Sequence, residues 1–450
     1  MEFGINKDYI QHIELLIEES NANELLRLLD DVHTADIAEL MNELRPHDAS
    51  YLFKQFDSDV SSEILLELDE EVREEILKNL SAKEIAEELD ELDTDDAADI
   101  IGELHEDIKD DVIAELEDFE HAKDIVELLR YDEDTAGGLM AKEYIQANEN
   151  WNVLTCIQEI RKQAENVSRV HSIYVVDDED RLKGRLSLKD LITSSTTTQI
   201  KDIYIPKVDF VKVEDDATDV AHVMQKYDLE AIPVVDETGR LVGRITIDDI
   251  VDVIREEADK DYQLAAGISQ DVEADDSIWV LTKARLPWLL LALLGSFMAV
   301  NVSSGFDSAL TEYPILFFFT PLIAAMAGNV GVQSSAIIVQ GLANNSLMGS
   351  TWRRLGKEIL LSMFSSVTLA ILLLFATHFI LHTPYDVSIT VAISLVTVMV
   401  IASVIGTLIP LLLDKYGIDP ALATGPFITT SNDIFGIFTY FTLAKMILGF

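Results

Sequence analysis

The strongest constraint in this sequence is the way in which its charge is divided along the chain. The chain has 450 residues and a formal net charge of -48 at pH 7. Residues 284–450 hold six of its 33 basic residues and seven of its 81 acidic ones, so the first 283 residues carry 27 basic and 74 acidic side chains. Long uncharged apolar runs belong in a bilayer, whereas a surface of such acidity belongs in water. The sequence therefore predicts an acidic region that lies in water and an apolar region that lies in a bilayer.

This acidity indicates which classes of binding partner the chain favours. Nucleic acids are bound by clustered Lys and Arg that replace phosphate counterions, so the composition argues against a nucleic-acid partner and favours cations. The single cysteine, Cys156, rules out an intramolecular disulfide framework. The opening MEFGINKDYI lacks the basic and then apolar pattern of a signal peptide. We therefore expect the acidic region to remain in the cytoplasm.

The first domain, residues 1–130, has the three- and four-residue apolar spacing of short amphipathic helices. Two of its segments resemble each other at an offset of 48 residues: DIAELMNELRPHDASYLF from Asp36 and EIAEELDELDTDDAADII from Glu84. Such repeats are typical of stacked helix pairs, so we predict an acidic domain that resembles an α-solenoid. Most of its carboxylates are expected to lie on solvated helix faces.

A second repeat follows at an offset of 59 residues. IYVVDDEDRLKGRLSLKDLI from Ile173 is echoed by IPVVDETGRLVGRITIDDIV from Ile232. Each copy has an apolar run, an acidic turn, a glycine, a second short strand and a helix start, a pattern that predicts a strand–turn–strand–helix unit. The pair resembles tandem cystathionine-β-synthase-type (CBS) modules, here 131–200 and 201–258, which fold against each other as one α/β unit.

Each copy ends in the motif Gly-x-x-Ser/Thr-x-x-Asp. The resemblance implies that these positions can hold the ribose and phosphates of an adenine nucleotide such as ATP. The candidate residues are Ser187, Asp190, Thr246 and Asp249. The alternative is that each Ser or Thr only caps the following helix, with the acid in its first turn.

The C-terminal region contains five apolar stretches. One starts near Ala284, and the others lie at about 314–341, 358–381, 387–413 and 419–444. Each can cross the hydrocarbon core of about 30 Å, which takes about 20 residues.

The charges between these stretches predict their orientation. Arg285, the segment WRRLGK and Lys415 lie at loops on one side, and the two loops on the other side contain no Lys or Arg. Positive loops remain in the cytoplasm. We therefore predict a multi-pass protein of the cell membrane with a cytoplasmic N-terminus and an external C-terminus.

Asp433 is the acid that lies deepest in a predicted span, with about a dozen residues on either side. An acid at the bilayer centre costs on the order of 2.5–3.5 kcal/mol on insertion scales, so it normally lines a polar pathway or has a partner. No Lys or Arg lies at a comparable depth. The sequence favours a cation site, and a protonated structural acid is the alternative.

The stretch PLIAAMAGNVGVQSS in the second span offers the matching half of such a site. Glycines at mid-membrane are expected to let backbone carbonyls face a cavity, since irregular backbone at that depth must be buried or wet. Gly328 and Asn329 would then supply neutral oxygens beside the carboxylate of Asp433. One carboxylate among neutral oxygens suits Mg²⁺, and the absence of Cys and His at this depth argues against zinc or copper.

Three segments and the domain order together resemble the MgtE family of magnesium channels over essentially the whole chain. The segments are YDEDTAGGLM (131–140), PLIAAMAGNVGVQSS (321–335) and DPALATGPFITTSND (419–433). The resemblance implies a homodimer in which subunits of five membrane helices enclose one central pore, within a pore domain at 284–450. It implies that Asp433 contributes to a Mg²⁺ site near the pore centre, and that the region of Gly328 and Asn329 lines the path.

The resemblance also implies a plug helix, about residues 259–277 of a connecting segment at 259–283, which gates the cytoplasmic mouth. The family is regulated by intracellular Mg²⁺. Acidic surfaces that face each other repel until a divalent ion bridges them, so high Mg²⁺ would compact the domains and hold the plug closed. The regulatory candidates are Asp95, Asp96, Asp249, Asp252, Glu256 and Glu257. For each of these residues, a place on the solvated surface without a bound ion is an equally good explanation.

Other classes of function are open to test. A secondary transporter coupled to Na⁺ or H⁺, or a path for another divalent cation such as Co²⁺, would use the same membrane residues. A membrane-anchored sensor without transport would leave Asp433 and the Gly-Asn motif unexplained. An enzyme is not expected, because the sequence has no nucleophile–base constellation and no phosphate-cradling glycine loop.

Overall fold

The structure is a computed structural model that describes residues 6–164, 167, 169–269, 272, 276–343, 350–423 and 425–450. The chain forms two compact units, Met1–Arg255 and Glu256–Phe450. The first unit contains short helices and two small sheets, and the second contains long apolar helices. This division follows the predicted division of charge.

From residue 6, where the described part of the chain begins, the first unit opens with ten helices. They are α1 (Lys7–Glu18), α2 (Ala22–Leu29), α3 (Thr34–Asn42), α4 (Pro46–Phe53), α5 (Ser58–Leu66), α6 (Glu70–Lys78), α7 (Ala82–Leu89), α8 (Thr94–Glu103), α9 (Glu106–Glu115) and α10 (Phe119–Leu128). Polar caps separate several of them. The clearest is at α7, where Ser81 and Glu84 form a reciprocal capping box.

The 48-residue repeat falls on the core of these helices. Ile37 and Ile85, which occupy equivalent positions, are both buried, as are Leu44 and Leu92. Alternate helices pack on one another in succession, α3 on α5, α5 on α7 and α7 on α9. The repeat therefore encodes recurring core positions. Acidic side chains between them such as Glu39 and Glu91 are exposed, whereas Asp48 and Asp95 are buried.

Two three-stranded sheets follow, and both are built as the second repeat predicts. Their elements are β1 (Ile145–Asn148), α11 (Val153–Gln163), β2 (Ile173–Val176), β3 (Leu182–Leu186), α12 (Leu188–Thr193), β4 (Val211–Lys212), α13 (Ala217–Tyr227), β5 (Ala231–Val235), β6 (Leu241–Thr246) and α14 (Ile247–Ala266). The strand orders are β1-β2-β3 and β4-β5-β6. In each sheet the first strand is parallel to the second, and the third is antiparallel.

The end of α14 differs from the predicted plug helix. α14 starts directly after β6 and continues through residue 258, where the sequence analysis placed a boundary. It ends at Ala266, not near residue 277, because Gly267 adopts a φ of +83° and the Ile268 N–H donates to the Gln263 carbonyl at 2.9 Å. Residues 270–271 and 273–275 of the predicted helix lie outside the described residues.

In the described part of the second unit, six α-helices follow α14. They are α15 (Ile278–Ser304), α16 (Asp307–Glu312), α17 (Leu316–Ala343), α18 (Thr351–Phe375), α19 (Tyr385–Lys415) and α20 (Gly425–Leu448). A π-helical turn, Ala376–Ile380, extends α18. Within the described residues, α15, α17, the extended α18 and α19 are the four helices that are long and apolar enough to cross a membrane.

α20 is a fifth long helix of 24 residues, and it packs against α15, α17 and α19. It carries the polar run TTSND near its start and Lys445 near its end. It begins at Gly425, later than the predicted start at 419, because Pro420–Ala423 forms a 3₁₀ turn and Gly425 has a φ of +52°. α15 begins at Ile278, earlier than predicted, where the Ser277 hydroxyl caps the helix.

Candidate functional site

A cavity of about 480 Å³ lies between α17 and α20 in the second unit. Its walls are formed by Ala324, Ala325, Gly328, Asn329, Val332, Gln333, Thr429 and Asp433. Asp433 is the one ionisable side chain among these eight residues. The structure thus brings together in one cavity the three residues that the sequence analysis placed at a pore site, Gly328, Asn329 and Asp433.

The α17 wall of this cavity is a single stripe of the helix. Ala325, Asn329 and Gln333 are four residues apart and therefore lie on one face. All three are exposed in the single chain, whereas Gly331 and Ser335 on the other side of α17 are buried. The polar stripe thus borders the open cavity beside α20 and is not covered by the rest of the chain.

The structure corrects the predicted role of the glycines. α17 is a continuous helix, so its mid-helix carbonyls accept hydrogen bonds from the following turn and are not free to line the cavity. The glycines allow close packing instead. A Cβ on Gly328 would lie 3.3 Å from Thr429 Cγ2, and one on Gly406 would lie 2.3 Å from the Gly331 carbonyl oxygen. The neutral ligands of the cavity are therefore side-chain amides.

Gly331→Ala is expected to destabilise the second unit by about 1–3 kcal/mol, because overpacking of a tight contact has this cost. The added Cβ would lie 1.8 Å from Asn432 Nδ2. Thermal unfolding in detergent should show a melting temperature several degrees lower. Gly356→Ala on α18 is the matched control, since a Cβ there meets nothing within 4 Å. Equal melting temperatures for the two variants would contradict the packing role.

The cavity suits a hydrated divalent cation. Mg²⁺ gives up its water reluctantly and is usually bound through one or two carboxylates and several waters. Asp433 can supply the charge, and the amides of Asn329 and Gln333 can accept hydrogen bonds from coordinated water. Across the described ranges, no group of three or more His, Cys, Asp or Glu side chains is placed to hold a metal ion. A dehydrated cage for Zn²⁺ or Ca²⁺ is therefore not built by those residues.

A second candidate site lies in the first unit, where α8 faces the start of α14. Asp95 and Asp96 on α8 and Asp249 on α14 are three of the predicted regulatory residues, and the structure places them together. Burial, and then the Asp249 carboxylate, raise the pKa of Asp96 to about 7. Burial raises the pKa of Asp249 to about 6. The same causes hold the pKa of the buried Asp95 well above its usual range.

The sequence analysis missed two members of this acidic surface. Burial, and then the carboxylates of Glu133 and Asp249, raise the pKa of Asp99 to about 7. Its spacing from Asp95 and Asp96 on the same helix face was the available signal. Glu143 had no such signal, because it comes from the segment before β1. Its carboxylate accepts the Thr94 N–H at 3.2 Å and the Thr94 hydroxyl at 2.9 Å, and so caps α8.

The raised pKa values predict a pH dependence for this surface. A carboxyl with a pKa near 7 when folded and 3.8 when unfolded binds more protons in the folded chain, so stability falls as pH rises between those values. In Mg²⁺-free buffer we expect the first unit of the full-length protein to lose about 2–4 kcal/mol of its free energy of unfolding between pH 5.5 and 8. Added Mg²⁺ should restore it at pH 8. Thermal unfolding that is independent of pH and Mg²⁺ would contradict this account.

The other three regulatory candidates are not part of this surface. Asp252, Glu256 and Glu257 lie further along α14, where Asp252 and Glu256 are exposed and Glu257 pairs with Lys260 at 3.6 Å.

A further acidic contact in the second unit was also missed. Burial, and then the carboxylates of Asp419 and Glu257, raise the pKa of Asp261. Nearby, a Cβ on Gly425 would lie 2.4 Å from the Ala265 carbonyl oxygen. The end of α14 therefore packs closely against the start of α20.

The predicted nucleotide residues act as helix caps in the structure. The Ser187 hydroxyl accepts the Lys189 N–H at 3.2 Å, with Asp190 in the first turn of α12. The Thr246 N–H and hydroxyl donate to Asp249 Oδ2 at 3.1 and 2.9 Å. Ser187 thus caps α12, whereas at the second motif Asp249 accepts the Thr246 N–H at the start of α14 and also belongs to the acidic surface.

Models of known protein families match four segments of the chain. The model described as a divalent cation transporter, MgtE, matches residues 320–443. The MgtE intracellular N domain matches residues 32–134, and the CBS domain matches residues 136–196 and 200–256.

Individual proteins are similar over most of the chain. The magnesium transporter MgtE of Thermus thermophilus is 35% identical over 342 residues, which are 73% of this chain and 76% of that protein. The magnesium transporter MgtE of Enterococcus faecalis is 35% identical over 332 residues, 74% of this chain and 73% of that protein. A crystal structure of the cytosolic domain of the Mg²⁺ channel MgtE in complex with ATP is 35% identical, with a TM-score of 0.51, and covers 54% of this chain and 99% of that one.

Proposed function

This chain belongs to the MgtE family, a family of membrane transporters and not of enzymes, and we propose that it is a Mg²⁺-selective channel for Mg²⁺ uptake that intracellular Mg²⁺ gates. It is a multi-pass membrane protein with a cytosolic MgtE N domain and a CBS pair. The observation that carries the proposal is the cavity in which α17 and α20 set two amides beside one carboxylate, Asp433. The names of the similar transporters support Mg²⁺ as the ion.

Mg²⁺ is the substrate in this proposal, and it passes with much of its hydration shell. Asp433 lowers the electrostatic cost of a divalent ion inside the membrane, and the amides of Asn329 and Gln333 bind its water. A single carboxylate per chain attracts the ion without trapping it. Conduction needs a site that binds well enough to admit an ion and weakly enough to release it.

We propose a homodimer with five membrane helices in each subunit, and the exposed stripe on α17 supports the dimer. Asn329 and Gln333 would face lipid in a single chain, where unsatisfied amides are costly. A second copy that covers this face would bury the stripe around one central pore. The proposed orientation keeps the N-terminus in the cytoplasm and the C-terminus outside, in the cell membrane, with lipid around the apolar faces of α15 and α18.

Gating rests on the acidic surface of the first unit. We infer five domains. Residues 1–130 form a helical domain that resembles an α-solenoid, and the two CBS modules span residues 131–200 and 201–258. The connecting segment spans residues 259–283, and the pore domain spans residues 284–450. Hydrated Mg²⁺ held beside Asp95, Asp96, Asp99 and Asp249 would compensate carboxylates that otherwise repel. Asp252, Glu256 and Glu257 would extend this regulation along α14, whose end packs against α20. ATP at Ser187, Asp190 and Thr246 is a further proposal, supported by the ATP-bound cytosolic domain.

Ion flux into proteoliposomes tests the proposal and separates it from a coupled transporter. Full-length protein is reconstituted with a Mg²⁺ indicator inside, and Mg²⁺ is added outside under a fixed membrane potential. A channel gives flux that follows the Mg²⁺ gradient and the potential, whether or not Na⁺ or H⁺ gradients are present. Flux that requires either gradient would establish secondary transport instead. Substitution of Co²⁺ for Mg²⁺ in the same assay measures selectivity.

A further inference from the structure

Arg244 on β6 is a buried cation inside the acidic surface between α8 and α14. Arg244 is 4% exposed, and its guanidinium Nη2 donates to Asp93 Oδ2 at 3.1 Å. Nη1 lies 3.4 Å from the Arg169 carbonyl oxygen. The pair therefore joins the helical region to the second sheet directly.

Asp93 pairs with Arg244 and does not cap α8 with its own side chain. It occupies the N-cap position of α8, where an Asp side chain normally accepts an N–H of the first turn. The Asp93 carboxylate makes no such bond. Glu143 caps the helix instead, through the N–H and hydroxyl of Thr94. The geometry thus commits one carboxylate of α8 to Arg244.

The charge of Arg244 also reaches the carboxylates that we assign to Mg²⁺. Asp249 lies five residues after Arg244, in the first turn of the helix that follows β6. Asp93, Asp95 and Asp96 lie at the start of one helix, and Arg244 is the basic residue that pairs with it there. A fixed positive charge at this place does part of what a bound divalent ion would do.

We propose that Arg244 is a resident cation of the docked interface, and that it sets the Mg²⁺ concentration at which the helical domain closes onto the second CBS module. This inference rests on the proposed gating and deepens it. With Arg244 in place, fewer charges remain for Mg²⁺ to compensate. Without it, the half-buried Asp93 carboxylate adds one more negative charge for Mg²⁺ to compensate.

The internal repeat supplies a matched control. Arg185 occupies the equivalent position in the first module, 59 residues earlier, in GRLS against GRIT. Arg185 is exposed, whereas Arg244 is buried. Arg185→Gln and Arg244→Gln therefore remove the same charge from equivalent strands, once outside the interface and once within it.

The test measures domain closure by pulsed EPR in the full-length protein. Spin labels are attached at Asp110→Cys on α9 and Glu237→Cys after β5, both exposed positions, in a Cys156→Ser background. The distance between the labels is recorded as Mg²⁺ is titrated. We expect Arg244→Gln to raise the Mg²⁺ concentration for half-closure by about tenfold, which corresponds to about 1.4 kcal/mol. Arg244→Lys should restore most of the shift, and Arg185→Gln should leave the midpoint within about twofold.

Each other outcome would overturn the inference. A midpoint for Arg244→Gln within twofold of the wild type would show that the charge does not set closure. Equal shifts for Arg244→Gln and Arg244→Lys would assign Arg244 a shape-dependent structural role. If Arg244→Gln fails to fold, as judged by circular dichroism, Asp93→Asn/Arg244→Gln removes both charges and should return the midpoint toward that of the wild type. If the distance between the two labels in the wild-type protein does not change with Mg²⁺, the gating proposal is overturned, and this inference with it.

Discussion

Asp433→Asn is expected to lower Mg²⁺ flux by at least about tenfold, because it removes the one charge that lines the cavity between α17 and α20. Two unit charges at 4 Å interact by about 4 kcal/mol at an effective dielectric constant of 20, and a water-separated ion keeps part of that energy. Asn has nearly the shape of Asp, so packing should be preserved. The measurement is the initial rate of Mg²⁺ uptake into proteoliposomes at matched protein content.

Two further variants make this test specific. Asp307→Asn removes an exposed carboxylate in α16, outside the cavity, and should leave the flux unchanged. Asn329→Asp combined with Asp433→Asn moves the carboxylate across the same cavity and should recover part of the flux. Undiminished flux in Asp433→Asn would refute the pore role. A double variant that remains as inactive as the single one would show that the place of the charge, and not its presence in the cavity, is decisive.

Deletion of residues 1–130 is expected to abolish inhibition by millimolar intracellular Mg²⁺. The deletion removes Asp95, Asp96 and Asp99, so the acidic surface loses one of its two sides and Mg²⁺ has nothing to bridge. Patch-clamp recording should show a high open probability at all Mg²⁺ concentrations on the cytoplasmic side. Retained inhibition would place the sensor elsewhere, for example along the exposed part of α14.

Neighbouring helices offer a matched pair of point variants for the same question. Asp95→Asn/Asp96→Asn removes the buried carboxylate of Asp95 and the half-buried one of Asp96, whereas Asp110→Asn/Asp111→Asn removes two adjacent exposed carboxylates of α9. Both change the net charge by the same amount. We expect the first to weaken the Mg²⁺ dependence of gating strongly and the second to leave it within about twofold. Equal effects would mean that overall charge, and not this surface, controls the gate.

Much of the architecture could be predicted because it depends on local patterns. The loss of charge after residue 283 marks the membrane unit, and the two internal repeats mark the helical region and the sheets. Helix ends were less certain, because they depend on single residues. Ser277 starts α15 early, Gly267 ends α14 early, and Gly425 starts α20 late.

The sites were only partly predictable, because they depend on contacts between distant segments. Asp433 and Asn329 could be found from their depth in apolar spans. The packing role of Gly331 could not, since it depends on Asn432 and on Gly406 of a third helix. The burial of Arg244 beside Asp93 could not be predicted from the sequence either. Its equivalent in the first repeat is exposed, and only the docking of α8 makes the difference.

The most direct test of the central claim is the accessibility of the cavity during conduction. Ala325→Cys in a Cys156→Ser background places one reactive thiol on the α17 wall, and Ile371→Cys places one on the exposed apolar face of α18. A charged methanethiosulfonate reagent should block Mg²⁺ flux through the Ala325→Cys channel, and Mg²⁺ should slow that reaction. The Ile371→Cys channel should be unaffected. Modification at Ala325→Cys that leaves Mg²⁺ flux intact would contradict the claim that ions pass beside Asn329 and Asp433.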